Sequence, residues 1–183
     1  MSERIGLFAD LHSNLEAYEA CMARAKELGV TRMAFLGDLV GYNADPCALL
    51  DRIADLVDTK QAIVVRGNHD EATFKDYTLQ MNAHANAAIE WTKTQLNSAQ
   101  VQFLKDLPLI IHEEQICYTH ASAHNPEAWN YITDSVENPD GAACSRKGYR
   151  KLQQFAFLVS GCGVAPRYSS GCYRVCRLLF RLE

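Results

Sequence analysis

No apolar run in the 183 residues approaches the roughly 20 that a membrane-spanning helix needs, which excludes a helical membrane protein. The start, Met-Ser-Glu-Arg before a five-residue apolar run, is too short for a secretory signal, so a cytoplasmic protein is expected. Internal repeats and low-complexity tracts are missing, which excludes a solenoid or a disordered linker. The seven cysteines form no C-x2-C pair, so a zinc cluster of Cys144, Cys162, Cys172 and Cys176 is not expected. Histidine is absent from residues 144–183, and acids are nearly so: that stretch holds only Glu183 against eight basic residues.

The remaining composition, 48% hydrophobic and 22% charged, is that of an ordinary soluble domain. At this length a single domain over residues 1–183 is expected, burying roughly 70% of its unfolded surface. The net charge of −4 conceals an asymmetry: residues 1–143 carry 21 acids against 10 basic residues, and residues 144–183 carry a net +7. The acidic body argues against nucleic-acid affinity, which relies on Lys and Arg neutralising phosphates. Residues 144–183 are compositionally aberrant, the mark of a basic interaction tail or of a stretch of altered origin, such as a shifted reading frame.

Along the chain, Ile5 to Phe8 reads as a buried strand. A helix follows from Leu15 with Asn14 as N-cap and Gly29 as the glycine stop. A strand over Arg32 to Leu36, a helix after Asp45-Pro46 and a strand over Gln61 to Val65 continue the alternation. Strand–helix–strand–helix–strand predicts an α/β fold with parallel strands. Helical sequence from Met81 to Leu96 and a shorter helix capped by Ser98 come next. Two strands, Pro108 to His112 and Gln115 to Thr119, follow, and a last apolar strand is predicted over Phe155 to Val159.

Ligands in such sheets bind beyond the carboxyl ends of the strands, and there the chemistry of this chain collects. Asp10 and His12 end the first strand, Asp38 the second, Asn68 and His69 the third, and His120 the strand through Thr119. Carboxylate and imidazole together suit Mn, Fe, Zn or Ni rather than Ca. A dinuclear hydrolase needs ligands for two cations roughly 3.5–4 Å apart, with one carboxylate shared. Asp38, after the flexible Gly37, suits the bridge. Asp10 and His12 suit one side, Asn68 and His120 the other, leaving His69 for the substrate. Asp70 or another acid is expected to orient His69, as carboxylates commonly do. Arg66 and His124 are candidate substrate contacts. Tyr42, Asn43 and Trp129 stand in strand-end loops that either line a pocket or simply pack. His84 and His112 are expected to serve surface or packing roles.

The motifs DLHSN, GDLVGY, RGNHD and YTHAS, in that order from Ile5 to about Tyr131, resemble those of the calcineurin-like metallophosphoesterase family, in wording its small prokaryotic phosphodiesterase-type members. The resemblance implies a two-layer β-sandwich flanked by helices, two divalent metals and hydrolysis of a small phosphate ester. Mn is the expected metal, with Fe, Zn, Ni or Mg as alternatives. It implies that Asp10 and His12 bind one metal, Asp38 bridges, Asn68 and His120 bind the second, and His69 gives a proton to the leaving group.

The pattern breaks at the family's final Gly-His-x-His motif, which supplies one ligand to each metal. Here FAFLV leads into Ser160-Gly-Cys-Gly-Val, so Cys162 and Val164 stand at the histidine positions. The chain ends 17 residues beyond Pro166, before the last strands usual in the family. A frame change or truncation near residue 140 explains the lost histidines, charge jump and short end together. A divergent protein with Cys162 as substitute ligand, and a basic tail with its own binding role, are the alternatives. Thiolate suits Zn but not Mn or Mg. The chain is accordingly expected to hold metal weakly and to turn over bis-p-nitrophenyl phosphate slowly. The double change Cys162→His and Val164→His should raise that rate; no gain would show that FAFLV does not deliver the motif.

Overall fold

The computed structural model describes residues 4–76, 81–113, 116–129, 150–151 and 179–181, the last two pairs of bounds as backbone only. Cys144, Cys162, Val164, Cys172, Cys176 and the strand expected over residues 155–159 lie outside the described residues.

Strands β1 (Arg4–Phe8), β2 (Arg32–Phe35) and β3 (Ala62–Val64) pair in parallel, in the order β3-β2-β1. Residues 179–181 (β7) add an antiparallel strand beside β1. The second sheet joins β4 (Ile110–Glu113) to β5 (Ile116–Thr119) as an antiparallel hairpin, with residues 150–151 (β6) parallel to β5. The expected mixed α/β two-layer arrangement is what forms.

Alternation along the strands builds the two cores. Ile5, Ala34, Leu36 and Val65 turn toward the second sheet, where Ile116 and Tyr118 meet them. Phe8, Met33, Phe35, Ala62 and Val64 turn the other way, onto α1 (Leu15–Glu27), α2 (Pro46–Asp58) and α5 (Ser98–Asp106). Each strand thus has an apolar residue on both faces, as a sheet covered on both sides requires. Arg32 adds a bidentate ion pair to Glu113 at 2.5 and 2.9 Å, tying β2 to β4 across the sandwich.

The helix ends follow local chemistry. Asn14 Oδ1 accepts from Ala17 N at 2.9 Å, and Gly29 (φ +68°) ends α1 in left-handed backbone. Pro46 opens α2 after Asp45, whose side chain makes no cap bond. The helix α4 (Ala83–Gln95) is capped by Asn82. One cap differs from expectation: Asn97, not Ser98, caps α5, exchanging bonds of 2.9 and 3.1 Å with Gln100 in a capping box. Asparagine one residue earlier reaches the third helical amide, so Ser98 falls inside the helix. A further short helix, α3 (Asn68–Ala72), has no periodicity because one turn is too short to show any. Among the described residues no helix is long and apolar enough to cross a membrane.

The α2 face is the densest contact with the sheet: Leu49, Leu50 and Ile53 are at most 1% exposed. Leu49→Ala should destabilise the protein by about 2–5 kcal/mol, read from the urea midpoint at unchanged m-value.

Candidate metal centre

Parallel pairing does not stop where the strands do. Beyond β1 and β2, Asp10 N donates to Gly37 O at 3.1 Å, His12 N to Asp38 O at 2.9 Å and Ser13 N to Leu39 O at 2.8 Å. The Asp10–Ser13 and Gly37–Leu39 loops are therefore zipped together in register, which fixes Asp10, His12 and Asp38 relative to one another. The backbone takes up left-handed conformations to do so at Asp10, His12, Ser13 and Asp38, with φ of +47° to +60°. Such strain concentrates at functional sites.

The third loop meets the second at two glycines. A Cβ on Gly37 (φ +90°) would lie 2.7 Å from Gly67 N and 2.8 Å from His120 Nδ1. Only bare backbone lets these three segments converge. A Cβ on Gly67 would likewise run into the main chain and carboxylate of Asp38. The approach is closed by His69 N, which donates to Asp38 Oδ1 at 2.9 Å.

Two imidazoles are then set by carbonyls. Val40 O stands 3.1 Å from His12 Nδ1, and Leu36 O stands 2.7 Å from His120 Nδ1. A carbonyl can only accept, so each Nδ1 carries the hydrogen and each Nε2 faces inward as a potential ligand. His12 Nε2 lies 3.7 Å from Asp38 Oδ2 and 4.0 Å from Asp10 Oδ1. His120 Nε2 lies 3.5 Å from Asp38 Oδ1 and 3.1 Å from the side-chain oxygen of Asn68. The two oxygens of one carboxylate thus serve two different imidazoles, one to each side.

Ligand atoms of Asp10, Asp38 and His120 all lie within 4.8 Å of one another, as do those of His12, Asp38 and His69. Asp38, His69 and His120 are buried, and Asp10 Oδ2 and His69 Nδ1 are buried without a hydrogen-bond partner. The side-chain oxygens of Asn68 and Asp38 converge on Nε2 of His120, an arrangement that calls for positive charge among them, from an imidazolium proton or from a bound cation. The donor set therefore fits divalent cations of the Mn, Fe or Zn kind.

Electrostatics agree. Burial penalises the carboxylate of Asp38, yet His120, with His69 and His12, holds its pKa below the ordinary value. Burial, then the charge on Asp38, pushes Asp10 up. Burial also opposes the cation of His120, but Asp38 and Asp10 outweigh it and hold its pKa above the usual imidazole value. At His69 burial wins over the attraction of Asp38 and lowers the pKa to about 4. His69 is a neutral imidazole at pH 7 in this state.

The six strand-end residues expected to gather, Asp10, His12, Asp38, Asn68, His69 and His120, are brought together. Asp70 is placed differently from its expected role beside His69. Its Oδ1 accepts from Leu39 N (2.8 Å) and Val40 N (3.2 Å), and its Oδ2 from Gly67 N (2.9 Å). It ties the Asp38 loop to the Asn68 loop, while His69 Nδ1 goes without it. Burial, then the charge on Asp38, pushes Asp70 up to about 7 against the pull of those amides. The signal for this was legible: an acid three residues after Gly67 reaches back to the N-cap amide of a helix.

Arg66 also turns elsewhere. Its Nε lies 3.1 Å from buried Glu71 without hydrogen-bond alignment, an Nη donates to Lys105 O at 3.2 Å, and the guanidinium covers Phe74. His124 is exposed, with its main chain bonded to Ser122 Oγ. His84 and His112 are exposed, away from the strand-end loops, on α4 and β4. Tyr42 packs its ring 4.8 Å from both His12 and His69, and Trp129 stands 6.0 Å from His120. Asn43 donates through Nδ2 to His12 O at 2.8 Å.

The calcineurin-like phosphoesterase profile matches residues 3–164. An uncharacterized protein of Methanocaldococcus jannaschii is 36% identical over 133 residues, 70% of this chain and 53% of its own length. Among solved structures, a metallophosphoesterase from Sphaerobacter thermophilus is 31% identical with a TM-score of 0.61, over 82% of this chain and 58% of that one. A hypothetical protein from Pyrococcus horikoshii OT3, at 21% identity and TM-score 0.66, shares the fold over 79% of this chain and 64% of its own. The chain thus spans just over half the length of the first two relatives.

Removing the Asp70 tie should loosen both loops at once. Asp70→Ala leaves three buried amides without an acceptor, and unfolding free energy should fall by roughly 3 kcal/mol or more. Hydrogen exchange should quicken at Leu39, Val40 and Gly67 before it quickens in α2.

Proposed function

The chain belongs to the calcineurin-like phosphoesterase family, and on that premise we propose that it hydrolyses phosphate mono- or diesters of small molecules at a dinuclear divalent-metal site. The observation that carries this reading is the divided carboxylate of Asp38, with Oδ2 directed to His12 and Oδ1 to His120. Asp10 and His12 would hold one ion, Asn68 and His120 the other, with Asp38 between them. Mn is the first choice of metal. The small ester is the partner, nucleic acid and membrane are not, and the cytoplasm is the proposed location. Bound divalent ions would supply Lewis-acid polarisation of the phosphoryl group and activation of water.

The residues themselves do the rest. His69 stands beside the ligand set, a ring nitrogen of it within 4.8 Å of ligand atoms of His12 and Asp38, so its ring can meet an ester held there. Burial keeps it neutral until an anionic ester arrives. The ester's negative charge then favours the imidazolium, which can pass its proton to the departing alkoxide. Asp70 positions both loops rather than touching the substrate. Arg66, engaged with Glu71, would reach phosphate only by giving up that ion pair.

A second reading is a binding protein that keeps the fold without turnover. Cys162 and Val164 at the positions of the family's last two histidines favour it. Metal content of the purified protein and hydrolysis of bis-p-nitrophenyl phosphate separate the two.

Asp38→Asn should abolish binding of a metal pair, measured by elemental analysis. His69→Ala should lower kcat by ~10²–10⁴-fold on alkyl phosphate esters, with metal content unchanged. Its effect on p-nitrophenyl esters should be smaller, because that leaving group needs little help from a proton.

A further inference from the structure

Tyr42 is held in place by an unusual amount of local structure for a ring that is 39% exposed. Its backbone is left-handed (φ +62°), a conformation that an aromatic residue adopts only when its surroundings enforce it. Gly41 before it is at φ +95°, and a Cβ there would lie 2.8 Å from His69 Nδ1, so the loop presses directly on that imidazole. After it, Asn43 donates to His12 O through both its main chain (3.1 Å) and its side chain (2.8 Å). The ring so placed meets His12 edge-on and His69 at a tilt, with both centroids 4.8 Å away.

Packing alone does not account for this arrangement, because a side chain recruited for its apolar area would be covered rather than left at the mouth of a polar site. We propose that Tyr42 is a preformed platform for the leaving group, selecting phosphate esters whose alcohol carries a flat aromatic ring, of phenyl or nucleobase kind, over aliphatic ones. This rests on the hydrolytic reading above for the position of the leaving group, which must lie beside His69 to take its proton. A ring 4.8 Å from that imidazole is where an aromatic leaving group would find a stacking or edge-to-face partner. Fixing the platform beforehand spares the ordering cost on binding.

The test uses the full chain with Mn added, as wild type, Tyr42→Leu and Tyr42→Phe. Calorimetric titration with adenosine monophosphate and with glycerol phosphate reads recognition independently of turnover. The wild type should prefer the aromatic ligand, Tyr42→Phe should keep the preference, and Tyr42→Leu should lose roughly 3- to 10-fold of it while glycerol phosphate binding is unchanged. Equal binding of both ligands by the wild type overturns the proposal. So does a preference that survives in Tyr42→Leu, or an equal loss for both ligands, which would make Tyr42 only a support for the imidazoles. Preference without hydrolysis of either ester type would sink the hydrolytic reading and leave the platform standing.

Discussion

A carboxylate that must stay ionised while fully enclosed is the constraint on which the rest of this molecule depends. Asp38 is 3% exposed, and an isolated charge so placed would simply take up a proton. It is kept ionised by imidazoles on two sides and by the amide of His69. Those partners come from three separate loops, so the fold has to bring three strand ends to one point. The parallel β1–β2–β3 arrangement does this, and the zipped main-chain bonds beyond the strands carry its register into the loops. The second sheet exists, from the centre's point of view, to deliver His120 from the other side.

On the proposed reading, charge balance would let an acidic protein attract an anion. Asp10 and Asp38 contribute two negative charges, and two divalent cations would leave a local surplus of two positive ones. The acidic body, net −11 over residues 1–143, repels phosphate esters at long range. Attraction then acts only within a Debye length or so of the centre, about 8–10 Å at ordinary ionic strength. On that reading small esters would enter the zone freely, whereas a long polyanion would have to lie along the acidic surface as well.

Much of this was legible in the sequence, and the illegible parts share a cause. Strand ends, the αβ alternation, the caps at Asn14 and Gly29 and the convergence of Asp10, His12, Asp38, Asn68, His69 and His120 all follow from short-range patterns. What escaped depends on which of several polar neighbours a side chain chooses once loops pack. Asp70 prefers three amides to the His69 ring, because a buried acceptor satisfies more donors there. Arg66 prefers Glu71 and Phe74 within its own neighbourhood to open solvent at the site. The Arg66 choice leaves no trace in residue spacing, and the Asp70 choice shows only as an acid three residues after Gly67. The family profile runs to residue 164, through the very positions where histidines are missing, so the departure at Cys162 and Val164 stands inside the matched region.

The left-handed residues have a consequence for the protein's life in a cell. Asp10, His12, Ser13 and Asp38 are four non-glycine positions clustered in two loops, and each stores on the order of 1 kcal/mol of conformational strain. A cation held by Asp10, His12 and Asp38 would act as the clasp that keeps the loops shut, adding stability in proportion to the logarithm of its free concentration. Loss of that cation would then lower the protein's stability as well as empty the centre. Abundance of the protein would follow the supply of its metal with no dedicated sensor.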